Sequence, residues 1–209
     1  MALFIVFEGG EGCGKSTQTR ALYRRLSKSG FTAVLTREPG GTSLGERVRR
    51  HLKQTDGTAI SPMAELFLIA AARAQLVSEV IHPALKAGQT VVCDRFTFST
   101  LAYQGYGRRL PMDTLRVVND AATGGLSPDL VVLLDVPVGV GLSRKKLRGR
   151  DRFESENRAF HSRVRRGYLE MARADPQRWL VVNGRLPRGL IGRKIWERVS
   201  SLLRRESNG

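Results

Sequence analysis

The chain has 209 residues, with 35 lysines and arginines against 19 aspartates and glutamates and a formal net charge of +16. That balance points to polyanionic partners, either nucleic acid or the phosphates of small molecules. The only two cysteines, Cys13 and Cys93, form neither a disulfide framework nor a zinc spacing, no apolar run approaches the ~20 residues that span a bilayer, and no charged segment precedes the apolar start. The expectation is a soluble, cytoplasmic protein with no membrane partner.

Taken in order, Leu3 to Phe7 reads as a short buried strand and Lys15 to Leu26 as a helix. Between them lies Gly9-Gly10-Glu11-Gly12-Cys13-Gly14-Lys15-Ser16, then Thr17. G-x-x-x-x-G-K-S where strand turns into helix is a phosphate-binding loop in its required context. The glycines let successive N–H groups point inward, Lys15 adds a point charge, and the first helical turn adds unpaired N–H groups and the positive dipole end. The Ser16 hydroxyl is placed to ligate the magnesium that accompanies a nucleoside triphosphate.

Phe31 to Leu35 reads as a second strand, leading to Arg37-Glu38-Pro39-Gly40-Gly41-Thr42, a sharp turn that leaves an arginine and a carboxylate at the sheet's edge. Ser43 reads as the N-cap of a helix through Arg49. Pro62 opens a long helical pattern that ends before Gly88, with Leu66, Ile69, Ala70, Leu76, Val77, Val80 and Ile81 on an apolar stripe. Arg73 interrupts that stripe and must snorkel out or meet a ligand. A third strand, Thr90 to Cys93, delivers Asp94-Arg95-Phe96 to the ligand side of a parallel sheet, where a carboxylate suits magnesium and an arginine suits an anion. Ser99, Thr100, Tyr103 and Gln104 follow in helical register, with hydroxyl and amide groups suited to a base edge.

A helix from Pro111 to Ala122 precedes the unbroken apolar strand Leu130 to Leu134, which ends at Asp135. A helix from Val138 runs to Leu147 and into Arg148-Gly149-Arg150-Asp151-Arg152-Phe153-Glu154, a composition suited to a lid that closes over phosphates. The helix Ser155 to Ala174, the strand Trp179 to Val182, an Asn183-Gly184 turn and a closing helix from Leu190 to Leu203 complete the chain. Continuous apolar strands separated by helices predict an α/β, three-layer phosphate-loop fold: five parallel strands flanked on both faces, one domain over 1–209, with a mobile lid at about 148–155.

These motifs together, namely the phosphate loop, R-E-P-G-G-T, the Ala71-Ala72-Arg73 helix, D-R-F with S-T-x-A-Y-Q-G, and the arginine-rich lid, resemble the bacterial thymidylate kinases over nearly the whole chain. The resemblance implies transfer of the γ-phosphoryl group of ATP to dTMP, with Mg2+, by a homodimer. It also implies roles for individual residues. The amides and Lys15 of the loop, Gly9 to Thr17, hold the ATP phosphates, Ser16 and Asp94 serve magnesium, and Arg144 and Asn183 lie near adenine. Arg95 holds the acceptor phosphate, and Glu11 meets the sugar hydroxyl. Glu38, Pro39 and Arg49 shape the acceptor site, while Arg73, Thr100 and Gln104 meet the thymine edge with Ser99 nearby and Tyr103 near the sugar. The loop carries no cation at Gly12-Cys13, which in that family throws catalysis onto a lid arginine, here Arg148, Arg150 or Arg152.

Two departures stand out: Ile69 where a stacking phenylalanine is usual, with Phe67 two residues earlier, and Phe96 where tyrosine is common. A kinase for another nucleoside monophosphate stays open on the strength of Ile69, and a nucleic-acid-dependent ATPase on the strength of the charge. Against the second, the chain has no acidic pair closing a strand and no single-strand stacking series. Cys13, among the loop amides, is expected to be a reactive thiol.

Overall fold

A computed structural model describes residues 2–54, 59–145 and 151–205. Its centre is β1 (Phe4–Glu8), whose side chains alternate between two cores as a strand of period two requires. Ile5 and Phe7 pack with Leu22, Leu26, Val132, Ile191 and Ile195 on one face. Phe4 and Val6 pack with Leu76, Ile81, Val91 and Phe96 on the other. Both faces are covered, which is why the strand shows no polar alternation.

The other strands are β2 (Ala33–Arg37), β3 (Thr90–Asp94), β4 (Leu130–Asp135) and β5 (Trp179–Asn183). All pair in parallel in the order β2-β3-β1-β4-β5. Every strand therefore ends on one side, and the segments after β1, β2 and β3 meet there.

Helix α1 (Lys15–Lys28) starts at Gly14, which is left-handed at φ 97°. Helix α2 (Ser43–Lys53) is capped by Thr42, one residue before the expected cap, because the Thr42 hydroxyl reaches the Gly45 N–H. The long pattern from Pro62 divides into α3 (Pro62–Leu76), a wider π turn at Val77–Ile81, and α4 (His82–Lys86). Pro83 has no N–H for the preceding turn, and the helix widens just ahead of it. After β3 come α5 (Thr97–Thr100), a second π segment at Leu101–Gly107, and α6 (Met112–Thr123). Helix α7 (Val138–Lys145) follows β4, the lid expected at about 148–155 falls partly outside the described residues, and α8 (Arg158–Ala174) is capped by Asn157 and so begins later than Ser155. Helix α9 (Arg188–Arg205) closes the fold. Among the described residues no helix is long and apolar enough to cross a membrane.

One contact sets the phosphate loop against α7. Gly12 has φ +64°, and a Cβ there would stand 2.0 Å from the Gly141 carbonyl oxygen; a Cβ on Gly141 would stand 2.2 Å from the Glu11 carbonyl oxygen. Backbone touches backbone at both glycines, so neither tolerates a side chain. Gly10 differs, since its Cβ would meet nothing within 4 Å and its φ is not positive. Gly12→Ala should therefore lower unfolding stability by about 1–3 kcal/mol, whereas Gly10→Ala should be near neutral. Thermal melts of the two variants check this, and equal Tm values would contradict the packing.

Candidate active site

The segments after the strands enclose a cavity of about 690 Å³ that runs from the phosphate loop to the wall formed by α3 and the second π segment. At the loop end, the Lys15 ammonium donates to the carbonyl oxygens of Gly9 and Gly10, both at 2.9 Å. This holds it folded into the loop, aimed where a phosphate would sit. The Ser16 hydroxyl donates to Asp94 Oδ2 at 2.6 Å. Two hard oxygens, one from the start of α1 and one from the end of β3, thus meet beside Lys15, a donor set that fits Mg2+, which binds through one or two protein oxygens plus substrate phosphates. The Cys13 side chain is buried in the core beneath the loop, so the residue offers the loop its backbone, and the expected thiol reactivity is not supported.

Arg144 donates to the Gly12 and Gly184 carbonyl oxygens at 3.3 and 3.4 Å. It therefore ties the loop to the turn after β5, where the Asn183 side chain accepts from the Arg185 N–H. Thr17 lies with Arg144 on the cavity wall.

Arg95 stands between the two ends of the cavity. It follows β3 with φ 75°, a left-handed conformation rare for any residue but glycine. Its Nη1 donates to the Gly9 carbonyl, Ser99 Oγ and Tyr168 Oη, and its Nη2 to Glu11 Oε1 and Tyr103 Oη, at 2.7 to 3.2 Å. Burial opposes its charge, but the Tyr103, Glu11, Tyr168 and Asp94 oxygens outweigh that and raise its pKa well above the ordinary arginine value.

Behind Arg95 lies Glu8, fully buried at the end of β1. Its Oε1 accepts from the N–H groups of Phe96 and Ser99, and its Oε2 from the hydroxyls of Ser99 and Tyr168. Burial pushes this carboxyl up, and the Arg95 charge and these donors pull it back. Glu8 thereby stitches down the turn that carries Arg95.

Arg49 donates to the Pro39 carbonyl at 3.0 Å. Burial, and then the nearby Arg37 and Arg95 cations, lower its pKa. Three arginines at the cavity crowd one another in this way, an arrangement that an entering phosphate dianion relieves.

At the far wall Arg73 is buried rather than snorkelling. Its Nε donates to Glu38 Oε2, its Nη1 to Thr100 Oγ1 and Asn119 Oδ1, and its Nη2 to the Phe96 carbonyl, with Glu38 Oε2 also 2.6 Å from Nη2. All three nitrogens are engaged, so Arg73 acts on a ligand by ordering Thr100 and Glu38 or by exchanging a partner. Ile69 lines the cavity and packs with Val48, Leu52 and the lid-side Phe153, while Phe67 faces solvent at 56% exposure. Phe67 cannot replace the missing stacking ring; the aromatics that line the cavity are Phe153 and Tyr103, edge-on to each other at 5.9 Å. Phe96 is in the core, edge-on to Phe4 at 4.9 Å, where a tyrosine hydroxyl would need a partner.

Of the lid arginines, Arg148 and Arg150 lie outside the described residues. Arg152 turns away from the loop, donating to the Leu52 carbonyl at 3.1 Å and to the buried Glu65 carboxylate. Sequence reasoning also missed Glu8, Glu65, Asn119, Tyr168 and His161. The first four are lone polar groups whose partners are distant in the chain, and His161 is a lone histidine on the buried face of α8; the only available signal was that irregularity.

Parallel strands ending on a phosphate loop, a magnesium-type oxygen pair and an arginine-lined far end of the same cavity define a phosphate-loop phosphotransferase. The thymidylate kinase family pattern matches residues 7–195. The chain is 52% identical over 204 residues to a thymidylate kinase of Dehalococcoides mccartyi, covering 98% of this chain and 99% of that one. It is 50% identical over 209 residues to one from a Synechococcus species, covering 92% and 100%. The crystal structure of the Ehrlichia chaffeensis thymidylate kinase superposes with a TM-score of 0.78 at 31% identity, covering 95% of this chain and 98% of that one. The chain belongs to the thymidylate kinase family.

His161, on α8, gives the site a pH dependence. Its Nε2 is buried with no partner among the described residues, beside a void of about 20 Å³ that Glu11 also lines. Burial lowers its pKa; Glu11, Glu156 and Glu154 oppose the shift without cancelling it. The unfolded chain therefore takes up a proton near the ordinary histidine value of about 6.5 while the folded chain resists. That stability is present above about pH 6.5 and is lost as pH falls through the lower folded value. Tm should decline more between pH 7 and pH 5 in the wild type than in His161→Gln; parallel declines would contradict this.

Proposed function

We propose that the protein transfers the γ-phosphoryl group of ATP to dTMP, giving dTDP and ADP. The observation that carries this reading is Arg95, wired at once to the phosphate loop through the Gly9 carbonyl and to the acceptor wall through Tyr103 and Ser99. ATP lies along the loop with its phosphates on the amides of residues 9–17, where the Lys15 ammonium leaves the Gly9 and Gly10 carbonyls for phosphate oxygens. Ser16 and Asp94 hold Mg2+, which when bound neutralises charge on the β- and γ-phosphates. The dTMP phosphate sits on Arg95 and Arg49, and Glu11, released by Arg95, turns to the sugar hydroxyl. Glu38 and Pro39 hold Arg73 and Arg49 in place, and Thr100, Gln104 and Ile69 wall the base.

One acceptor phosphate oxygen attacks the γ-phosphorus, its new P–O bond forming as the bond to the β-phosphate bridging oxygen breaks. The protein's contribution is alignment and charge neutralisation. The lid arginine that stabilises the moving group is Arg148 or Arg150, and the engagement of Arg152 with Glu65 supports that assignment. Exposed Phe67 on α3 and Val117 on α6, helices that pack together, support a homodimer through this face. Two free thiols support work in the cytoplasm.

ATP-dependent turnover of dTMP, dUMP, UMP, CMP and dGMP tests the substrate. dTMP should give the highest kcat/KM, and equal turnover of the others would overturn the assignment. Alanine at Arg148 or at Arg150 should lower kcat by about 10³-fold with little change in dTMP KM. Small, equal effects at Arg148, Arg150 and Arg152 would remove the lid from the mechanism.

A further inference from the structure

The base wall is built from two polar side chains one helical turn apart, Thr100 and Gln104, both lining the cavity. Which of their atoms face the cavity is decided by charges behind them. Thr100 Oγ1 accepts a hydrogen bond from Arg73 Nη1 at 3.0 Å, and Arg73 has no lone pair to take the hydroxyl proton in return. That proton has no acceptor among the described residues and is left for the cavity. Gln104 Nε2 donates to Glu65 Oε1 at 2.5 Å.

Glu65 is fully buried at the start of α3 and also receives Arg108 through Nε and Nη2, and Arg152 through Nη2. A carboxylate facing two guanidiniums can only accept, so the Gln104 amide has one permitted orientation, NH2 toward Glu65. Its Oε1 accepts from no described group and is the end left for the cavity. The wall thus presents a donor at Thr100 beside an acceptor at Gln104.

We infer that Glu65, by locking the Gln104 amide, sets the donor–acceptor polarity of the base wall and makes the acceptor site select a 4-keto over a 4-amino pyrimidine. A keto pyrimidine offers the complement, O4 as acceptor and N3–H as donor; a 4-amino pyrimidine offers a donor at N4 and an acceptor at N3, opposed at both positions. Reversed pairing leaves the buried Thr100 and Gln104 groups facing like groups, the arrangement that gives strong discrimination. Glu65 touches no substrate in this account and is a positioning residue. The inference rests on the proposed phosphorylation of dTMP and adds the source of its base selectivity.

The test compares dTMP with 5-methyl-dCMP, which differs only in the keto or amino character of the 4-position and N3, by kcat/KM at saturating ATP. The wild type should prefer dTMP by about 10²-fold or more. Glu65→Gln puts a neutral amide behind Gln104 that can offer either its oxygen or its NH2, which frees Gln104 to turn over, and the preference should fall at least about tenfold. Loss of packing alone would lower both rates together and leave the ratio unchanged. Because Glu65→Gln leaves two arginines short of a partner, the charge-balanced variant Glu65→Met with Arg152→Met is measured beside it. Arg108 keeps Glu156 there, and the same loss of preference is expected. An unchanged ratio in either folded variant, or a wild type that does not distinguish the two nucleotides, would overturn the inference. A wild type that turns over neither would overturn the dTMP reading and the inference with it, a result separable from a dTMP kinase whose ratio ignores Glu65.

Discussion

The active site depends on how Arg95 is held. A left-handed backbone at a non-glycine residue costs on the order of 1–3 kcal/mol and persists only where the surroundings over-determine it. Here they do. Glu8 captures the N–H groups of Phe96 and Ser99 immediately after Arg95, and the guanidinium is fixed by five oxygens from the loop, α5, the second π segment, α8 and Glu11. The strained turn aims the side chain back over the loop that follows β1 instead of along β3. On the proposed function, phosphate donor and phosphate acceptor would thereby be registered to one side chain, and positioning of that kind is most of what phosphoryl transfer asks of a protein.

The same economy of parts recurs on both sides of Arg95. On the nucleotide side, Gly12 against Gly141 and Arg144 across Gly12 and Gly184 join the loop to α7 and the turn after β5. Helix α7 is therefore packed on the phosphate loop. On the acceptor side, buried charges do not face the substrate directly. Arg73 is spent on Glu38, Thr100 and Asn119, and Glu65 on Gln104, Arg108 and Arg152. Each charge is matched inside the protein, as burial demands, and what reaches the cavity is an oriented neutral group. Arg152 adds a link between the lid side and the base wall, since it grips the carboxylate that orients Gln104.

Much of this was legible in the sequence where the signal is local. Strands buried on both faces appear as unbroken apolar runs, the phosphate loop carries its own spacing, and Asp94-Arg95 follows a strand end where ligands bind in parallel sheets. The cap of α2 was placed one residue late, at Ser43 for Thr42, and the start of α8 three residues early, at Ser155 for Arg158, because several neighbouring side chains can cap on paper and only the backbone decides which oxygen the third N–H reaches. The π turns are invisible to a period of 3.6. Glu8, Glu65 and Asn119 were unreadable for a different reason: a lone polar residue in an apolar stretch acquires its meaning from partners 22 to 160 residues away, such as Thr97 for Asn119, Gln104 for Glu65 and Tyr168 for Glu8. Arg73 was recognisable as an anomaly, yet its saturation by protein partners was not.

The central claim is that Arg95 is the point where the acceptor's phosphate is recognised, and a ligand–residue cycle isolates it. Equilibrium binding of dTMP and of thymidine is measured by calorimetry on the wild type and on Arg95→Met, so that the phosphate is removed from the ligand and the guanidinium from the protein, separately and together. The account predicts that the phosphate strengthens binding to the wild type by about 10- to 100-fold, the worth of charge-assisted hydrogen bonds, and that most of this gain disappears in Arg95→Met while thymidine binds both proteins alike. A phosphate gain that survives intact in Arg95→Met would contradict it.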